Sequence, residues 1–102
     1  MTPTALKRFV RKFRDSMLEG EDPEDWCHVI SAPLQLSLMA LGIDCAIARG
    51  SEHLACHFWI ELPDGTIIDA TASQFRRPNG RAMPFVYIGE LPEWYESYGP
   101  CT

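Results

Sequence analysis

No apolar run in this chain approaches the ~18–20 residues needed to span a membrane as a helix. Its opening residues, TPTALKRFV, also lack the apolar core of a signal peptide. Together these absences predict a protein made and kept in the cytoplasm, with no membrane partner. There are no internal repeats, low-complexity tracts or linker-like stretches. The 102 residues are expected to form a single domain, because so short a chain cannot divide into two parts that each bury a core. Basic charge is in short supply, with nine Lys and Arg against fourteen Asp and Glu for a net charge of −5. That balance argues against nucleic acid as a partner, since phosphate backbones select basic surfaces. The sequence also has no C-x-x-C pair among Cys27, Cys45, Cys56 and Cys101. An even count permits disulfides, but a reducing compartment and an ordinary apolar core point to thiols.

The charge that is present is sorted along the chain. Lys7, Arg8, Arg11, Lys12 and Arg14 precede Asp15, Glu19, Glu21, Asp22, Glu24 and Asp25. The basic group reads as the solvated face of a helix. Leu6, Phe9, Val10, Phe13, Met17 and Leu18 recur at helical spacing between those cations. Thr2 or Thr4 suits the cap, Pro3 the first turn and Gly20 the stop. A second helix starts at Asp22-Pro23-Glu24-Asp25 and runs to Gly42. Its apolar residues Val29, Ile30, Leu34, Leu38 and Leu41 fall on several sides, which predicts the more buried helix; Pro33 should kink it or mark where it becomes regular.

Beyond Gly42 the pattern turns to strands. Expected are Ile43 to Ala48, Leu54 to Leu62, a tight turn at Pro63-Asp64-Gly65, a return over Thr66 to Ala70, and a last strand at Phe85 to Ile88. A polar loop spans residues 76 to 82. The tail LPEWYESYGPCT fits no element, and Trp94, Tyr95 and Tyr98 could serve as a contact surface or as packing. The fold class is α+β, two helices on a small antiparallel sheet of about four strands.

Three residues in this layout could share chemistry. Cys27 lies near the start of the second helix, where amides and dipole favour a thiolate or an oxyanion, although a cysteine on an apolar helix is often inert core. His57 starts the most apolar strand and needs polar partners if buried. Asp69 ends the return strand. A turn at Asp64-Gly65 would set it opposite His57, and would set Trp59 opposite Ile67. A carboxylate beside an imidazole fixes its tautomer, and a thiol meeting that pair is the equipment of acyl transfer.

The run Cys27, Ser31, Leu34, Leu38 to Gly42, followed by His57-Phe58-Trp59, Asp64-Gly65, Asp69-Ala70-Thr71 and Gln74-Phe75, resembles the papain-like and transglutaminase-like cysteine enzymes. It looks closest to small papain-fold proteins of bacteria and phages, over residues ~25 to 75. The resemblance implies a Cys27-His57-Asp69 triad acting on a protein or peptide amide as peptidase, deamidase or transglutaminase-like enzyme, with no cofactor. It departs from the papain pattern in having neither glutamine nor asparagine between Glu19 and Trp26. Oxyanion stabilisation would then fall to backbone amides, Trp26 or Gln74, and losing one such donor typically costs ~3 kcal/mol of barrier. Trp59 shares the parity of His57 and could cover the site or pack in the core.

Two other readings use the same residues. Cys27, His28, Cys45, His53, Cys56 and His57 hold enough sulfur and nitrogen for zinc, but neighbouring residues of a strand face opposite ways and the spacing is wrong for a knuckle. By that alternation Cys56 faces away from His57, His28 points away from Cys27, and His53 sits in a loop. The other alternative is a binding module that keeps the fold without the activity, acting on a host or partner protein.

Overall fold

The computed structural model describes residues 2–20, 27–51, 56–74, 79–92 and 95, with backbone alone described at positions 27, 28, 49–51, 56, 57 and 74. The described elements are helices α1 (Pro3–Leu18) and α2 (Cys27–Ala40), strands β1 (Ala46–Ser51), β2 (Cys56–Glu61), β3 (Ile67–Asp69) and β4 (Tyr87–Gly89), and a 3-10 turn at Ala72–Gln74. The four strands form one antiparallel sheet in sequence order. The α+β class expected from the sequence is the class observed.

Helix α1 forms as its sequence dictates. The Thr2 hydroxyl accepts a hydrogen bond from the Ala5 amide at 3.1 Å, and Pro3 occupies the first turn, where no amide bond is lost. Glu19 ends the helix in the left-handed region (φ 49°), and its amide donates to the Asp15 carbonyl. The apolar stripe of α1 buries Val10 and Leu18, with Leu6, Phe9, Phe13 and Met17 packed beside them. Helix α2 continues through Pro33 and contributes Ile30, Leu34 and Leu38 to the same core.

Only one stripe of α2 is buried. Val29 (51%), Leu36 (68%) and Met39 (50%) are exposed, as is Leu41 just beyond the helix, although the sequence marks α2 as the more buried helix. The reason is geometric. A helix lying on one small sheet can cover one face, and its remaining apolar residues stay in water.

The sheet separates two cores. Ile60, Ile68, Ala70 and Val86 meet the helices, whereas Trp59, Ile67, Ala72, Met83 and Tyr95 form a second cluster. Strand alternation accounts for the sorting, since residues 59 and 60, or 67 and 68, must face opposite ways. Strand β4 runs over Tyr87–Gly89, later than the expected Phe85 to Ile88, because Phe85 is half exposed rather than paired. Likewise β1 occupies Ala46–Ser51 rather than Ile43 to Ala48.

The β2–β3 turn fixes the register. The Leu62 amide donates to the Thr66 carbonyl at 2.8 Å, and the Gly65 amide to the Leu62 carbonyl at 3.0 Å. Pro63, Asp64 and Gly65 are therefore a three-residue loop with Gly65 at φ 90°, a conformation glycine adopts without a Cβ penalty. Ile60 pairs with Ile68, and Glu61 with Ile67. Asp64 accepts from the Thr66 amide at 2.9 Å, which holds its carboxyl below the ordinary range.

Two outcomes test this packing. Leu34→Ala should destabilise the fold by about 2–5 kcal/mol in urea denaturation, while Leu36→Ala on the exposed side should stay within about 0.5 kcal/mol. A lowered carboxyl stabilises above its unfolded pKa and loses that contribution as pH falls through the folded value. Asp64→Ala should therefore lower stability slightly at neutral pH and flatten the loss of stability on the acid side.

Candidate active site

Asp69 is the best-defined member of the candidate site. Its side chain has no solvent exposure. One carboxylate oxygen accepts from the Thr71 amide at 3.0 Å and the Thr71 hydroxyl at 3.3 Å; the other accepts from the Tyr95 hydroxyl at 2.6 Å. A carboxylate kept from water this completely would be costly without such donors, and the short phenol bond is the strongest in kind of the three. The Asp69-Ala70-Thr71 sequence makes its own part of this arrangement, an aspartate bonding the amide two residues on.

The partner from the tail was not legible. Tyr95, expected only as part of a contact surface or as general packing, is 1% exposed and lies tilted against Trp59 with ring centroids 5.3 Å apart. Trp59 is itself buried, in the second cluster with Tyr95. It thus packs on the Asp69 side of the sheet. Trp94 and Tyr98 lie outside the described residues.

The observed register corrects the expected pairing of Asp69. Extending the Ile60–Ile68 ladder by one step brings Asp69 level with Trp59, two residues on from His57. The expectation set Asp69 opposite His57 and was two residues off, because the turn closes at Leu62 and Thr66 rather than at Leu62 and Asp64. Positions 57 and 69 are then diagonal across the strands, a separation of about 7–8 Å that long side chains can bridge. His57 is the second residue of β2, paired through its backbone position with Gly50.

Cys27 is the first residue of α2. The side chains of Cys27, His57 and Gln74, and all of Trp26, lie outside the described residues, so the thiol–imidazole distance does too. The faces impose one condition on any meeting. Helix α2 packs on the side of Ile60 and Ile68, whereas Asp69 belongs with Tyr95 on the opposite side. A thiol at the first residue of α2 could join Asp69 only around the end of the sheet, and β2 begins at that kind of position, with His57 near its end.

Of the residues weighed for zinc, Cys45 alone has a described side chain. It is a partly buried free thiol that donates to the Gln35 carbonyl at 3.7 Å. Burial, and then the neighbouring Asp44 charge, pushes its pKa up, so its thiolate is scarce at neutral pH. Among the described residues no three His, Cys, Asp or Glu side chains gather as metal ligands would. Among the same residues no helix is long and apolar enough to cross a membrane.

No family model matches the chain, and neither the curated proteins nor the solved structures provide a match. The likeness to papain-like enzymes is accordingly carried by the quoted motifs alone.

Removing the phenol tests the Asp69 arrangement. Tyr95→Phe should destabilise the protein by about 1–3 kcal/mol, the cost of withdrawing a donor from a buried acceptor. Unchanged urea midpoints would mean that the carboxylate does not depend on Tyr95.

Proposed function

We propose that the protein is a papain-like cysteine enzyme that cleaves or transfers the acyl group of a protein or peptide amide, working in the cytoplasm without a cofactor. The observation that carries this reading is the fully buried Asp69 carboxylate, held rigidly on the strand beside the one bearing His57. A buried anion with fixed orientation is suited to orienting an imidazole and supporting its protonated form.

In this reading the Cys27 thiolate attacks the amide carbonyl carbon, and the carbonyl electrons move onto oxygen. Amides at the start of α2 receive that oxyanion, with Trp26 or Gln74 as further candidate donors. The His57 imidazolium gives its proton to the departing amine nitrogen as the carbon–nitrogen bond breaks, leaving a thioester on Cys27. Water, or an amine, then attacks the thioester while His57 takes a proton, and the thiol is released. Asp69 acts through His57 and is a positioning residue in this scheme.

A second reading is favoured by a specific observation. Val29, Leu36 and Met39 leave an apolar strip on α2 exposed. A domain that binds a partner protein without turning over substrate would have use for such a surface.

Iodoacetamide labelling followed by mass spectrometry separates the two. An enzyme should show Cys27 alkylated at least tenfold faster than Cys45 at pH 7. In His57→Ala the Cys27 rate at pH 7 should fall, with labelling moved toward the alkaline range of an ordinary thiol, about 8.5. Equal rates at both cysteines in the unmodified protein would remove the enzymatic reading and leave the binding module.

A further inference from the structure

A groove of about 480 Å³ runs between α1 and the segment leading into β4, lined by Thr4, Lys7, Arg8, Arg11, Pro84, Phe85 and Val86. Among the described residues its lining carries three cations and no carboxylate, on a protein whose net charge is −5. Lys7, Arg8 and Arg11 come from successive turns of one helix, while Pro84, Phe85 and Val86 supply an apolar wall. Phe85 is half exposed, and the Arg11 guanidinium lies 4.3 Å from its ring centroid.

A fourth cation strengthens the field. Arg14, expected on the solvated face, is instead only 7% exposed, and its guanidinium lies 4.9 Å from the same ring. It donates to Asp15 at 2.9 Å and to the Ser73 hydroxyl at 3.3 Å; its Nε is buried with no hydrogen-bond partner among the described residues. Asp15 is also the carboxylate that Arg11 meets, at 3.1 Å. One acid is thus shared by two arginines, and Lys7 and Arg8 have no carboxylate partner among the described residues.

From this arrangement we infer that the groove docks an acidic peptide segment of a partner protein, its carboxylates on Lys7, Arg8 and Arg11 and an apolar side chain against Pro84 and Phe85. The volume lies in the range of pockets that take a drug-sized ligand, about 300–1,000 Å³. Charge complementarity selects an anion, and the apolar wall selects one that carries apolar groups. A peptide is favoured over nucleic acid because three cations on one short groove are few for a phosphate backbone, which is bound through about 6–10 contacts by proteins that depend on it. Docking at this groove makes no use of the thiol chemistry.

Fluorescence anisotropy on the full chain tests the assignment, using a short fluorescein-labelled peptide of glutamates interspersed with phenylalanine. Binding should weaken with added salt, and Lys7→Glu combined with Arg8→Glu should weaken it at least tenfold. Phe85→Ala should weaken it severalfold, and a peptide with lysines for glutamates should not bind. Thermal melts of each variant show that it remains folded; both reversed residues are exposed, so folding should persist. Absence of binding, binding indifferent to the double reversal, or tighter groove-dependent binding of a single-stranded oligonucleotide or inorganic phosphate would each overturn the proposal.

Discussion

The far side of the sheet is organised around a single anion. Asp69 has no contact with water, so the free energy of removing a carboxylate from solvent must be offset by donors brought to it. Thr71 is close in sequence and follows from the local turn. Tyr95 comes from 26 residues downstream and ties the chain beyond β4 back onto β3. Trp59 then packs against Tyr95, and Met83 and Ala72 complete the cluster. The helix side needs no such device, since Ile30, Leu34, Leu38, Ile60 and Ile68 are apolar throughout.

A second buried charge sits where α1 meets the end of the sheet. Arg14 is accommodated by the Phe85 ring, Asp15 and Ser73. Ser73 belongs to the same short segment that completes the Asp69 arrangement. Along that segment Ala70 joins the helix-side core, Thr71 bonds Asp69, Ala72 joins the opposite cluster and Ser73 meets Arg14. Five consecutive residues from Asp69 to Ser73 thus serve both layers. This explains why the block quoted from them looks motif-like even before any chemistry is assigned to it.

How much of this was legible depends on how local each cause is. The cap of α1, its stripe, the β2–β3 hairpin and the α+β class follow from nearest neighbours and periodicity, and they were readable. The register was off by two because it hinges on one residue, Gly65, taking a left-handed conformation that extends the loop. The exposed strip on α2 escaped because composition reveals how apolar a helix is, not how much sheet exists to cover it. Arg14 looked like its exposed neighbours, and only the tertiary position of Phe85 explains its burial. In the candidate site, Asp69 stood out as an acid in an apolar strand. The partner Tyr95 had no periodic signal, because a single hydroxyl arriving from a distant segment leaves no pattern. Cys27 and His57 rest on the motif reading, with their backbone positions at the head of α2 and near the head of β2.

The three-residue loop at Pro63–Gly65 has a consequence for how this chain can change. Burial of Ile60 and Ile68 on one side and of Ile67 and Asp69 on the other holds the register on its own, so an added residue lengthens the loop instead of sliding the strand. Extra residues between Leu62 and Thr66 therefore leave Ile68 on the helix side and Asp69 beside Tyr95.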